Sequence, residues 1–262
     1  MKKRFSLPLL LACLSFWLTT TVASPPPAPR PTYFALRVYH LKTSRQEAVI
    51  DSFLRGHYLP ALRAVGVPAV GVFKPIGNDT AVDRRVYVFT PFRSLQQWEK
   101  IDQETTARLL AAGGAYETAA FDHPAYTRQE TILLRAFEQM SRLTAPKLDV
   151  PKKERVYELR SYEGASENIF RNKVQMFNAG GEIKLFDRLG FNGLFYGEVV
   201  FGAKMPNLMY LTCFASMADR EAHWKSFSSD PEWKRLSALS EYQNNVSHMD
   251  ITFLRPTDYS GL

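Results

Sequence analysis

The feature that most constrains this chain is that it repeats itself. Leu36-Arg37-Val38-Tyr39 returns 123 residues later as Leu159-Arg160-Ser161-Tyr162, and at the same offset Phe34 matches Tyr157 and Tyr87 matches Tyr210. Gly66 and Gly190 correspond to within one residue, and Phe92-Arg93-Ser94-Leu95 matches Phe214-Ala215-Ser216-Met217 at an offset of 122. Matches in one order at a nearly constant offset mark a duplicated structural unit. Pro146, Pro151 and the charges between them read as a linker at 146–154. The first module is then 32–145 and the second 155–258.

Each copy reads β-α-β-β-α-β from its hydrophobic periodicity. In the first, Tyr33–His40 alternates as a strand, and Ser44 with Glu47 forms a capping box for a helix carrying Val49, Ile50, Phe53, Leu54, Ala61 and Leu62. Pro60 predicts a kink there or a fresh helix start. Val67–Lys74 and Arg85–Thr90 read as strands, Ser94 as the cap of a second helix, and Thr131–Phe137 as the closing strand. In the second copy a strand at Arg155–Glu163 leads into one helix from Ser166 to Arg188, with Gly190 as its C′ residue. Strands at Phe191–Phe201 and Leu208–Phe214, a helix at Met217–Phe227, a short helix opened by Asp230-Pro231 and a strand at Ser247–Arg255 complete it.

The expected fold class is therefore α+β: two tandem ferredoxin-like βαββαβ modules. Helices cover one face of such a sheet, and an apolar second face must be buried too. Packing the modules sheet to sheet buries both second faces, giving an intrachain dimeric α/β barrel.

The strand Val156-Tyr157-Glu158-Leu159-Arg160-Ser161-Tyr162, a helix ending at Gly190 and the Asp230-Pro231-Glu232-Trp233 helix start together resemble the NIPSNAP family. In that family a Tyr-Glu-Leu-Arg-x-Tyr-like strand opens each module. The resemblance runs from Tyr33 to Arg255 and implies the dimeric α/β-barrel fold. The first copy departs from it, because Ala35 stands where the second copy has Glu158. The resemblance implies no agreed activity.

Lys2, Lys3 and Arg4, the apolar stretch from Leu7 to Leu18, and Thr21-Val22-Ala23 have the layout of a secretory signal peptide over 1–23, followed by a proline-rich segment at 24–31. The expected location is periplasmic or secreted. An uncleaved anchor and a lipoprotein anchored at Cys13 are the alternatives. With Cys13 removed, Cys213 is the one remaining cysteine, so no internal disulfide is expected. Of the formal charge of +7, three charges belong to the leader and the rest are dispersed, which does not make a nucleic-acid footprint.

Residues two apart in a strand share a face. Glu158, Arg160 and Tyr162 thus point one way, as do Arg37 and Tyr39, and the expectation is that all five line the space between the sheets and hold the polar end of a small ligand. The competing reading is structural: Glu158 pairs with an arginine and the tyrosines fill space. His40, His57, His123, His223 and His248 are scattered without metal-ligand spacing, so no metal is expected; His57 and His223 are the two to inspect. No nucleophile, phosphate-loop or dinucleotide motif occurs, and no cofactor is expected. Two functions remain open. One is a non-catalytic binding or interaction module for a small molecule or an envelope protein, possible also as a homo-oligomer. The other is a cofactor-independent oxygenase or isomerase using the inter-sheet cavity.

Overall fold

Strand β1 (Tyr33–Leu41) sets the pattern for the molecule. Phe34, Leu36 and Val38 enter one apolar cluster, while Ala35, Tyr39 and Leu41 enter another. A strand buried on both faces needs a partner layer on each side. The computed structural model, which describes residues 32–67 and 69–262, supplies both. The leader and proline-rich segments read at 1–23 and 24–31 lie outside the described residues.

In chain order the elements after β1 are α1 (Ser44–Phe53), α2 (Leu59–Ala64), β2 (Gly71–Pro75), β3 (Arg84–Phe92), α3 (Leu95–Ala112) and β4 (Arg128–Ala136). Then come β5 (Val156–Glu163), α4 (Glu167–Phe177), α5 (Glu182–Arg188), β6 (Asn192–Phe201), β7 (Asn207–Phe214), α6 (Met217–Ser229), α7 (Pro231–Ser237) and β8 (His248–Pro256). The strands close into an eight-stranded barrel in the order β1-β3-β2-β8-β5-β7-β6-β4. Every neighbouring pair is antiparallel. Instead of two sheets lying face to face with free edges, the halves are hydrogen-bonded along two seams, β2 to β8 and β4 to β6. Closure removes the exposed edges that would otherwise invite further pairing.

Side chains fill one end of the barrel interior, as they can in barrels of this strand number. At that end Phe34, Phe89 and Phe195 stack with centroids 4.3–5.3 Å apart, beside Phe73 and Tyr157 at 4.7 Å. Burying each such ring stabilises the protein by about 1.5–3 kcal/mol. Truncating Phe89 to Ala would cost more, roughly 3–5 kcal/mol, because a cavity is left. Leu262 joins this cluster. Residues 257–261 hold it there by running along β2 and the residue before it, with Thr257 N–H donating to Val72 O at 2.9 Å and Gly261 N–H to Val70 O at 2.8 Å.

The helix caps follow short-range chemistry. Ser94, Ser166, Ser216 and Asp230 each accept a backbone N–H at the start of α3, α4, α6 and α7. The first helix begins one residue earlier than its sequence pattern suggests. Thr43, not Ser44, is the cap, and Gln46, not Glu47, reaches back, accepting from Lys42 N–H at 2.8 Å. Glu47 is drawn instead to Lys74 and Arg84. Pro60 stands in the first turn of a fresh helix, α2, one of the two outcomes expected of it. A π turn at Leu54–Tyr58 passes Leu59 N–H to Leu54 O, which accommodates the proline's missing donor. The single helix expected from Ser166 to Arg188 is two helices, because Gly181 adopts φ +92° between them. Gly190 takes φ +78° after α5, as a C′ residue does.

Candidate functional site

The five residues expected between the sheets all face the helices instead. Tyr162 belongs to the cluster built with Phe170 and Phe177 of α4, and Glu158 bonds to Arg220 and Trp224 of α6. Arg37 lies over Tyr58, 5.1 Å from the ring centroid, and Tyr39 packs edge-on against Tyr116 and Tyr126. The pairing by parity was right and the face assigned to it was wrong. A narrow barrel interior takes the apolar set, Phe34, Leu36 and Val38. The polar set is tolerated on the other face because helix side chains can reach down to satisfy it.

Glu158, 0% exposed, is the centre of that satisfaction. Its carboxylate accepts from Arg160 Nε at 2.5 Å, Arg220 Nε at 2.8 Å, Arg220 Nη2 at 3.1 Å and Trp224 Nε1 at 2.9 Å. Arg160 lies 3.7 Å from the Trp224 ring centroid and donates to the Tyr162 hydroxyl at 2.9 Å, which in turn meets the Tyr210 hydroxyl at 2.8 Å. Burial alone would raise the Glu158 pKa. Arg220, Arg160 and Trp224 outweigh it and hold the carboxyl below its ordinary range. Such a saturated, buried network specifies the packing of α6 on the sheet. It offers no free lone pair to a ligand.

In the first half the same sheet position is built differently. Ala35 leaves Arg37 to find a carboxylate on α3, Asp102, at 3.8 Å. A small void of about 20 Å³ remains beside them, lined by Ala35, Arg37, Thr90, Asp102 and Thr105 among others. Thr105 Oγ1 and the Tyr39 hydroxyl are buried without a well-formed hydrogen bond.

The open space between the halves lies at the end of the barrel opposite the phenylalanine stack. A cavity of about 330 Å³ there has a floor of Leu36, Val38, Leu159 and Met209, and a rim carrying His40, Arg85, Glu130, Lys204 and Asp250. Both halves contribute to floor and rim. The rim charges are paired: His40 lies 3.0 Å from Asp83 and 3.1 Å from Glu130, and Arg85 2.7 Å from Asp83. Lys204 bonds Asp250 and holds its carboxyl below the ordinary range. Sequence reasoning missed these residues, although one signal was present. His40 shares the parity of Phe34, Leu36 and Val38, so it belongs to the interior face.

Among the described residues one trio has ligand atoms close enough for a metal, Glu163, His248 and Asp250, within 4.8 Å of one another. It joins β5 to β8, so local spacing could not reveal it. The Lys204 ammonium already approaches two of the three. His57 lies in the π turn, and His223 sits 2.8 Å from Asp219 O with its ring edge-on to Phe191. Neither lines the barrel cavity. No described helix is long and apolar enough to cross a membrane.

The fold has known counterparts. A candidate monooxygenase from Lactobacillus acidophilus superposes with a TM-score of 0.52 at 13% identity, over 86% of this chain and 94% of its own. Another, from Fusobacterium nucleatum, gives 0.53 at 8% identity, over 86% and 92%. These likenesses establish a shared barrel architecture. A NIPSNAP-like domain protein from Burkholderia xenovorans aligns with 41% of this chain and 90% of its own at 20% identity, with a TM-score of 0.37. No curated protein matches the sequence. The NIPSNAP family model matches residues 157–261, the stretch that carries the whole Glu158 network. That stretch of the second half is thus what is similar to a NIPSNAP domain.

Proposed function

We propose that this chain is an exported binding protein that takes the apolar end of a small amphipathic molecule into the open end of its barrel. One observation carries the reading. Aromatic rings pack one end of the barrel, whereas the other end keeps about 330 Å³ with an apolar floor and a charged rim drawn from both halves. That is near the lower end of the range for small-molecule pockets, about 300–1,000 Å³, which are mostly apolar with a few polar groups fixing orientation. Because the rim charges already neutralise one another, a neutral or zwitterionic head group fits better than a strong ion. The basic, apolar and small-residue layout of residues 1–23 supports export. The strand order supports reading the halves as tandem ferredoxin-like modules, since β4-β1-β3-β2 and β8-β5-β7-β6 are the same order.

Titration with N-phenyl-1-naphthylamine, a neutral fluorescent probe, tests the reading. The native chain should enhance its emission saturably, and Val38→Trp, which fills the cavity from its floor, should not. Equal enhancement by the folded variant would overturn the proposal. A catalytic reading rests on one feature, the His40 imidazole held between Asp83 and Glu130 over an open cavity. It predicts that His40→Gln leaves probe binding intact while abolishing any turnover found for a ligand of this cavity. Turnover that persists in the variant would remove that reading.

A further inference from the structure

A second cavity lies outside the barrel, against α5 and the start of β6. The chain leaves β6 at Phe137, whose N–H donates to Tyr196 O at 2.9 Å. It returns at Thr144, with N–H donating to Leu194 O at 3.0 Å, and is pinned again where Lys147 N–H donates to Asn192 Oδ1 at 3.0 Å. Residues of the loop between these fastenings, of α5 and of the start of β6 line an open cleft of about 400 Å³.

The base of this cavity is unusual. Tyr196 is 2% exposed, and among the described residues its hydroxyl has no hydrogen-bond partner. Stacking on Tyr210 at 5.3 Å and on Phe186 at 6.2 Å fixes the ring. The register shift in β6 between Gly193 and Phe195 lays residue 193 against the phenol, where a Cβ would come within 2.7 Å of the hydroxyl. Only glycine leaves that hydroxyl its place. Burial, with Glu182 and Asp187 nearby, pushes the phenol well up, so it stays a donor.

The charges around it are not balanced. Arg142 and Lys147 on the loop and Lys184 on α5 line the cavity, and the one anion lining it is Asp187. None of these three cations has a carboxylate within 4.0 Å among the described residues. The excess of two positive charges matches a phosphate monoester, which carries about −1.5 to −2 at pH 7. A monocarboxylate would leave charge uncompensated. Met140, Ile183 and Phe191 give an apolar wall for the organic body. We infer that this cleft is a binding site for a small organic phosphate monoester, with the Tyr196 hydroxyl and Lys184 as its principal donors.

Calorimetric titration of the full chain with phenyl phosphate, phenol and inorganic phosphate tests this at low ionic strength. Phenyl phosphate should bind saturably and more tightly than either fragment. Tyr196→Phe and Lys184→Gln should each weaken it by at least about tenfold, the worth of one hydrogen bond to a charged group. Val38→Trp, in the floor of the barrel cavity, should change nothing, which separates this site from the amphipath site in the barrel. Absence of saturable binding, phenol or inorganic phosphate binding as tightly, or loss of binding in Val38→Trp would each overturn the inference. So would unchanged binding in Lys184→Gln, an exposed position whose variant tests the site even if Tyr196→Phe proves unstable.

Discussion

Arg37 and Arg160 stand at the same point of the two halves, and they are held in opposite ways. Arg160 has a carboxylate on its own strand, Glu158, completed by two α6 side chains. Arg37 has no acid on its strand and reaches for Asp102, which is 48% exposed at its side chain. Each half keeps the cation and the phenol two residues on, but only the second keeps the anion. The difference is energetic. One sheet–helix interface is cemented by a closed polar network. The other relies on aromatic packing among Tyr39, Phe53, Tyr116 and Tyr126 and tolerates a void.

The strongest way to break the contrast is Glu158→Ala. It strands two arginines, Arg160 of β5 and Arg220 of α6, at the sheet–helix interface and should cost about 3–5 kcal/mol, as the loss of one partner of a buried pair does. With about 2–4 °C per kcal/mol for a chain of this size, calorimetry should show a fall in Tm of roughly 10 °C. A loss below about 1 kcal/mol would mean the network is ornamental. Next comes acid. The lowered Glu158 pKa means its contribution is complete above its ordinary value of 4.5 and drains away as pH falls through the lower folded value. Denaturation followed from pH 6 downward should therefore steepen below about 4.5, and Glu158→Gln should flatten that limb while lowering the plateau above it. Asp102→Asn in the first half should cost less than about 1 kcal/mol by urea denaturation, because that pair is long and half-exposed. A cost matching that of Glu158→Ala would erase the distinction. The smallest effect is expected from Thr105→Val. Replacing a buried, unsatisfied hydroxyl by a methyl should be neutral or stabilising by up to about 1 kcal/mol.

Much of the architecture was legible because it is written locally and twice. Ser94, Ser166 and Asp230 announce helix starts, Gly190 a helix end, and alternation marks the strands. Two errors came from competition between neighbouring groups. Thr43 displaced Ser44 as a cap, and Gly181 broke a helix whose apolar spacing ran straight through it. The face of the sheet was misjudged for a different reason. Periodicity tells which residues lie together, but not which layer covers them. Arg37 and Arg160 looked like ligand-binding groups because the helix residues that satisfy one of them lie about 60 positions away. The barrel mouth and the Glu163–His248–Asp250 trio were invisible for the same reason, being assembled from strands paired across the whole chain.

The two seams have a consequence for how such a barrel persists and changes. Each seam pairs a strand of the first half with one of the second, so neither half can shed its partner without exposing two raw edges. Carrying both on one polypeptide makes their meeting independent of dilution, since each is always present at high effective concentration near the other. It also frees the copies from identity. In an assembly of identical subunits a substitution such as Ala for Glu158 would fall on both interfaces at once. Here Ala35 stands in one copy while Glu158 anchors the other.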